Sequence, residues 1–193
     1  MGSSALRIHM AYKQKIPEAW KKLRPNIAKF PHIYNLDAAV GFNCPNKRLD
    51  VMLIQYMLQV WAMLDHAVGY SGVMTGPGKV WGPDGNVSVR HSVSPKSLRE
   101  GTLPANGVFD NRTLAWIYYY QLLNWHDTSL ITGKVTPAAP DGSSLDGRST
   151  LMRLNLQIGA PDNNGNFAKE FVDITLDSAY APAELAQALK VAK

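Results

Sequence analysis

Five histidines, one cysteine and fifteen acids are the side chains on which this chain would have to build acid–base, nucleophilic or metal chemistry. Two places set a histidine beside an acid, Asp65-His66 and His126-Asp127, each at the expected end of a helix. Neighbouring helical residues point about 100° apart, so neither pair orients its imidazole through its own carboxylate. A histidine near the last carbonyls of a helix is already favoured by the helix dipole, which is a structural role. His32 and His91 fall in loops with no partner visible in the sequence. Cys44, in "NCPN", reads as a small turn residue, because an activated thiolate needs a base or a helix N-terminus beside it. The chain contains no H-E-x-x-H, no G-x-S-x-G and no zinc-ligand spacing, and Glu18, Asp37, Glu100, Glu170 and Glu184 are too scattered to nominate a carboxylate pair. The expectation is no catalytic residue, no metal and no cofactor.

Binding is better represented. The net charge is +5, and Lys13, Lys15, Lys21, Lys22, Arg24 and Lys29 crowd the start against one acid, Glu18. Such an arm suits an anionic polymer or an acidic partner, although a solvated helix face is the favoured explanation. Nothing in the aromatic and basic pattern matches an RNA-reading motif, which speaks against nucleic acid. Rings concentrate in "LPANGVFDNRTLAWIYYYQLL", residues 103 to 123. Helical spacing puts Thr113, Trp116, Ile117 and Tyr120 on one face and Leu114, Tyr118, Leu122 and Trp125 on another, so this helix needs cover on two sides.

The elements that must position these residues follow from texture. With 46% hydrophobic and 18% charged residues in 193, the chain reads as a folded, soluble protein, and no apolar run is long enough to span a membrane. Residues 1–9 read as a cloning leader, and no cleavable export signal is recognised. Residues 10–45 carry the basic arm, a short helix "PEAWKKL" opened by Pro17, and a Pro-punctuated stretch expected to wrap around a core formed elsewhere. Residues 46–125 hold two helices separated by an insertion, 66–102, in which the "GPDG" turn predicts a short hairpin. In the first helix Asp50 is the expected N-cap, and Val51, Ile54, Leu58 and Trp61 form one stripe. In residues 126–193, alternation in "STLMRLNLQIG" and "KEFVDITLDS" predicts a β-hairpin, which would cover the second face of the Tyr-rich helix; "PAELAQALKVAK" predicts a terminal helix.

Two segments carry a family resemblance. "NKRLDVMLIQYML" resembles the first helix of the peptidoglycan-binding-domain-like fold, usually worded N-x-x-x-D-V-x-L-V-Q-x-L-L, and "ANGVFDNRTLAWIYYYQ" resembles its second signature, D-G-x-F-G-x-x-T-x-x-A-V-x-x-F-Q. Asn106 and Gly107 stand for the Asp-Gly turn, Phe109 for the aromatic, Thr113 for the helix threonine, Trp116 and Ile117 for the apolar pair, and Tyr120 and Gln121 for the closing Phe-Gln. Asp110 departs from the family's usual Gly, and Asn106 from its Asp. The stretch "AVGFNCPNKRLDVMLIQ" is also similar to the start of such domains in cell-wall-directed effectors, including those exported by a type VI apparatus without a cleavable signal.

The resemblance implies an α+β chain: a small helical peptidoglycan-binding-domain-like core with a long insertion, a C-terminal β-hairpin and a terminal helix. It places Phe109, Trp116, Ile117 and Tyr120 against Val51, Ile54 and Leu58. It implies a non-catalytic module of a bacterial cell-wall or secretion-system protein, with glycan or stem peptide as partner and the periplasm as destination; otherwise the chain stays cytoplasmic. The candidate groove residues are Tyr56, Arg112, Tyr118 and Tyr119, whose rings would stack on sugars while the guanidinium takes a carboxylate. The alternatives are an interaction component of a secretion or phage-like assembly, with an apparatus or effector protein as partner, and a cell-wall hydrolase.

Overall fold

The computed structural model describes residues 11–23, 27, 30, 32–67, 79–80, 87–88, 103–125, 127–146, 148–158 and 181–190; the side chains of 62–67, 79–80, 87–88 and 145–146 are outside the description. Residues 1–10, most of 66–102, His91, His126 and the whole of "KEFVDITLDS" lie outside the described residues.

In chain order the elements are β1 (Tyr12–Gln14), α1 (Glu18–Leu23), β2 (Ile33–Asn35), β3 (Val40–Gly41), α2 (Arg48–Ala67), β4 (Lys79–Val80), β5 (Val87–Ser88), α3 (Asn111–Asn124), β6 (Lys134–Val135), α4 (Thr150–Ile158) and α5 (Ala183–Leu189), with short 3-10 turns at Thr128–Leu130 and Ser143–Asp146. The fold is α+β: helices around α2, with small two-stranded antiparallel sheets β1–β2, β3–β6 and β4–β5. β4 and β5 flank "GPDG" in the register Lys79 to Ser88 and Val80 to Val87, the hairpin expected there.

α2 is the hub. It packs on α3, α4, α5 and β3, while α4 also covers β2 and β6, and α5 meets β1. Its residues from Asp50 to Leu58 are all buried, so it is enclosed around its circumference, with Asp50 and Gln55 the polar members of an otherwise apolar stretch. Trp116, Ile117 and Tyr120 are buried with Val51, Ile54 and Leu58, and Phe109 packs half-buried against the same core.

Three expectations change. Residues 11–45 do not simply wrap. Ala11, Ile16, Trp20, Ile27, Phe30, Ile33, Tyr34 and Leu36 belong to the core, and β1 pairs antiparallel with β2 across the intervening α1, a pairing that local pattern did not suggest. The Trp20 indole N–H donates to the Pro140 carbonyl at 3.2 Å, fastening α1 to the distant loop.

The stretch at 150–158 is a helix, not a strand. "TLMRLNLQI" satisfies two periods at once: alternation would bury Met152, Leu154, Leu156 and Ile158, whereas the helix buries Leu151, Met152, Leu154, Asn155 and Ile158 and leaves Leu156 41% exposed. Leu, Met, Arg and Gln are helix formers without β-branches, and Ser149 caps the start by accepting the Met152 N–H. Asn155 then joins two elements: its Oδ1 accepts the Tyr34 N–H at 2.8 Å and its Nδ2 donates to the Tyr34 carbonyl at 2.9 Å. A side-chain amide thus does for β2 what a neighbouring strand would.

Asp50 is not the N-cap of α2. The first helical hydrogen bond runs from the Val51 N–H to the Lys47 carbonyl, so Asp50 sits inside the first turn. Its fully buried carboxylate accepts the Asp37 and Ala38 N–H groups at 3.1 and 2.9 Å. Burial raises its pKa above the ordinary aspartate value, against the lowering effect of those two hydrogen bonds.

Candidate functional site

The four predicted groove residues do not assemble into one groove. Tyr56 is buried on α2, and Tyr119 is buried with its ring 6.5 Å from that of Trp61 in an edge-on contact. Arg112 and Tyr118 are exposed, but six residues on one helix place them about 120° apart around its axis. Of the four, Tyr118 alone offers an exposed ring, 41% accessible.

Two glycines explain what surrounds Tyr118. A Cβ on Gly133 would lie 2.7 Å from Cε2 and Cζ of Tyr118 and 3.0 Å from Cδ1 of Leu114, so the Tyr118 ring and Leu114 lie over bare backbone. The cover for this second face of α3 therefore includes the connection leading into β6, a role the sequence reading gave to a C-terminal hairpin. A Cβ on Gly41 would lie 2.4 Å from the Gly133 carbonyl oxygen, and Gly41 pairs with Lys134 across the β3–β6 ladder. The residue after Gly41 is Phe42, 58% exposed at the head of a turn. Asn43 and Asn46 take positive φ in that turn, and the Asn46 amide accepts the Gly41 N–H while donating to the carbonyls of Gly41 and Cys44. Phe42 is thus held out by a braced turn. Phe42, Tyr118 and the exposed Lys134 flank one glycine seam. Phe42 was not among the residues nominated from sequence, although a phenylalanine between Gly and Asn in a turn, where the chain has little apolar need, was a legible signal.

Two glutamines organise the turns that lead into α3 and β6. Gln55 of α2 accepts the Gly107 N–H at 2.8 Å and donates to the Val108 carbonyl and the Thr113 hydroxyl, each at 2.9 Å. Gln121 of α3 repeats the arrangement one helix later: it accepts the Gly133 N–H at 2.8 Å and donates to the Lys134 carbonyl and the Thr150 hydroxyl. In each case a buried glutamine on one helix holds a positive-φ glycine and a threonine at the start of the next helix.

A second polar cluster lies where α3 ends against α4. The Tyr120 hydroxyl donates to Gln157 Oε1, Gln157 Nε2 donates to Asn124 Oδ1 at 2.8 Å, and Arg153 Nε donates to the same oxygen at 2.8 Å. The Arg153 guanidinium lies 5.7 Å from the centre of the Trp125 ring, and Trp61, Tyr120 and Trp125 continue as edge-on ring contacts at 5.0 and 6.1 Å. Burial pushes the Tyr120 pKa well above its ordinary value, with Arg153 pulling weakly the other way.

The acid–base candidates are not brought into a site by what is described. Asp65 and His66 lie within α2 with their side chains outside the description, and His126 lies outside the described residues. Cys44 is a free thiol 3.6 Å from the Phe42 carbonyl oxygen. Among the described residues no three His, Cys, Asp or Glu side chains are grouped to hold a metal, and no helix is long and apolar enough to cross a membrane. In the basic arm Lys21 pairs with Glu18, Lys15 and Lys22 are exposed, and Arg24 and Lys29 lie outside the description. No family model, no curated protein and no solved structure matches the chain.

Proposed function

We propose that this chain is a non-catalytic module that binds peptidoglycan, on a helical core of the peptidoglycan-binding-domain-like kind. The core reading is supported by the way the two signature segments meet: Gln55 of the first clasps the Gly107 turn and Thr113 of the second. The observation that carries the binding reading is the seam at Gly41 and Gly133: the half-exposed Tyr118 ring lies over Gly133, and the exposed Phe42 and the cationic Lys134 directly follow the two glycines in the chain. Rings on a rigid backbone offer flat apolar faces to the C–H surface of a sugar at little entropic cost, and a lysine beside them suits the carboxylates of wall glycan and stem peptide. The four-residue groove of the sequence reading is replaced by this smaller surface, with Tyr118 kept.

The test is sedimentation with purified sacculi. Wild-type protein should co-sediment, Phe42→Ala and Tyr118→Ala should each weaken binding several-fold with an unchanged melting temperature, and turbid wall suspensions should not clear. Binding untouched by both substitutions would overturn the assignment of the surface. No binding at all would favour an interaction role in a secretion or phage-like assembly, and clearing of the suspension would establish a hydrolase.

A further inference from the structure

We propose that Arg153 is the anchor of a carboxylate-binding site at the junction of α3 and α4, separate from the Phe42–Tyr118 surface. The side chain is half-buried, and its Nε is committed to Asn124 Oδ1 at 2.8 Å while its Cζ lies over the Trp125 ring, 5.7 Å from the centre. Those two contacts orient the guanidinium but leave its terminal fork unused: among the described residues no hydrogen bond involves either terminal nitrogen and no carboxylate lies within ion-pair distance. Arg48 shows the contrast, closing its fork on the Glu184 carboxylate at 2.8 Å and on the Asn106 carbonyl at 2.9 Å.

A permanently charged group withdrawn in part from water without a counter-ion costs free energy that a bound anion would recover. The last turn of α3 ends at Asn124, so the carbonyl end of its dipole helps keep the cation in place without occupying the fork. The geometry suits a carboxylate in particular. A planar fork matches two carboxylate oxygens, and the neighbouring Trp125 ring offers an apolar contact for the carbon that bears them. The surrounding amides are engaged elsewhere: Gln157 bridges Tyr120 and Asn124, and Asn124 Nδ2 donates to the Tyr120 carbonyl. The guanidinium is therefore the recognising group. Its ligand would be the carboxylate of either a peptide C-terminus or a sugar acid.

The experiment is an NMR titration of the intact chain, following the Arg153 Nε–H and Trp125 indole N–H signals. The probes are N-acetyl-alanine, glucuronate, the uncharged N-acetyl-alaninamide and inorganic phosphate. Saturable shifts of both signals with at least one carboxylate, and none with the amide, are expected; the tighter carboxylate identifies the source. Arg153→Lys should lower that affinity by about tenfold, the worth of one charged hydrogen-bond pair. Asn124 keeps Gln157 as a donor in this variant, so its fold should survive. The native titration with its amide control stands even where the variant does not fold. Equal shifts with the amide, a stronger response to phosphate, or no shift at high millimolar probe would overturn the proposal. Because wall sedimentation is read separately, loss of one result leaves the other standing.

Discussion

Gln55 Oε1 accepts the backbone N–H of Gly107 at 2.8 Å, a bond inside the core that joins residues 52 positions apart. The same side chain donates to Thr113 Oγ1 and the Val108 carbonyl, so one amide fixes both the turn before α3 and the helix's first turn. Gln55→Leu keeps the volume and strands a buried N–H. Unfolding in urea should show a loss of about 2 to 3 kcal/mol, the cost of leaving buried polar groups unsatisfied. A change below about 0.5 kcal/mol, within the range of ordinary surface substitutions, would mean the clasp contributes nothing.

Gly107→Ala and Gly133→Ala separate backbone from side-chain crowding. Both glycines have positive φ, 74° and 66°. At Gly107 an added Cβ would stand 2.7 Å from the Arg48 carbonyl oxygen, which belongs to the first turn of α2 and cannot move alone; at Gly133 it would meet the ring of Tyr118, which can swing outward. Gly107→Ala should destabilise by well over about 1 kcal/mol, with Gly133→Ala the milder of the two. The latter should reduce wall binding as Tyr118→Ala does, because it displaces the same ring. Equal melting temperatures for the two variants would sink the distinction.

Trp116 is buried to 2% exposure among the residues shared by α2 and α3. Trp116→Ala should cost about 3 to 5 kcal/mol in chemical denaturation, the usual range for deleting a large buried aromatic.

Tyr120 makes stability depend on alkaline pH. Its pKa in the folded chain is raised well above 10.0 by burial, while the unfolded chain keeps the ordinary value. The neutral phenol is thus favoured by folding: its contribution is fully present below the unfolded pKa and is lost as pH rises from there toward the folded one. Between neutral pH and strongly alkaline solution, the native chain should lose stability faster than Tyr120→Phe, whose own curve starts lower for want of the bond to Gln157. Parallel curves would show that Tyr120 is not the titrating group.

Much of the helical frame was legible because local and tertiary demands agree there. In α3 the stripe of Thr113, Trp116, Ile117 and Tyr120 is buried as spacing alone required, whereas the Asp110 cap, which accepts the Thr113 N–H at 2.7 Å, was not read from the sequence. The candidate surface was legible only in Tyr118. Tyr56 and Tyr119 look amphipathic in sequence, but neighbours distant in the chain enclose them.

What the sequence determined by itself is what short-range physics decides: the stripe of α3, the early helix at Glu18–Leu23, the hairpin around "GPDG", and the glycine turn before Phe109. Tertiary structure decided the rest wherever two local answers were close in free energy. "TLMRLNLQI" fits either period, and α4 exists because a helix lets Asn155 reach both backbone groups of Tyr34 while Leu151, Leu154 and Ile158 enter the core. Asp50 could have capped α2, but its carboxylate serves two N–H groups brought to it by another segment. Phe42 and Tyr118 become neighbours of one seam because Gly41 and Gly133 let two backbones approach as no side chain would permit. That approach joins residues far apart in the chain, and no window of sequence contains it.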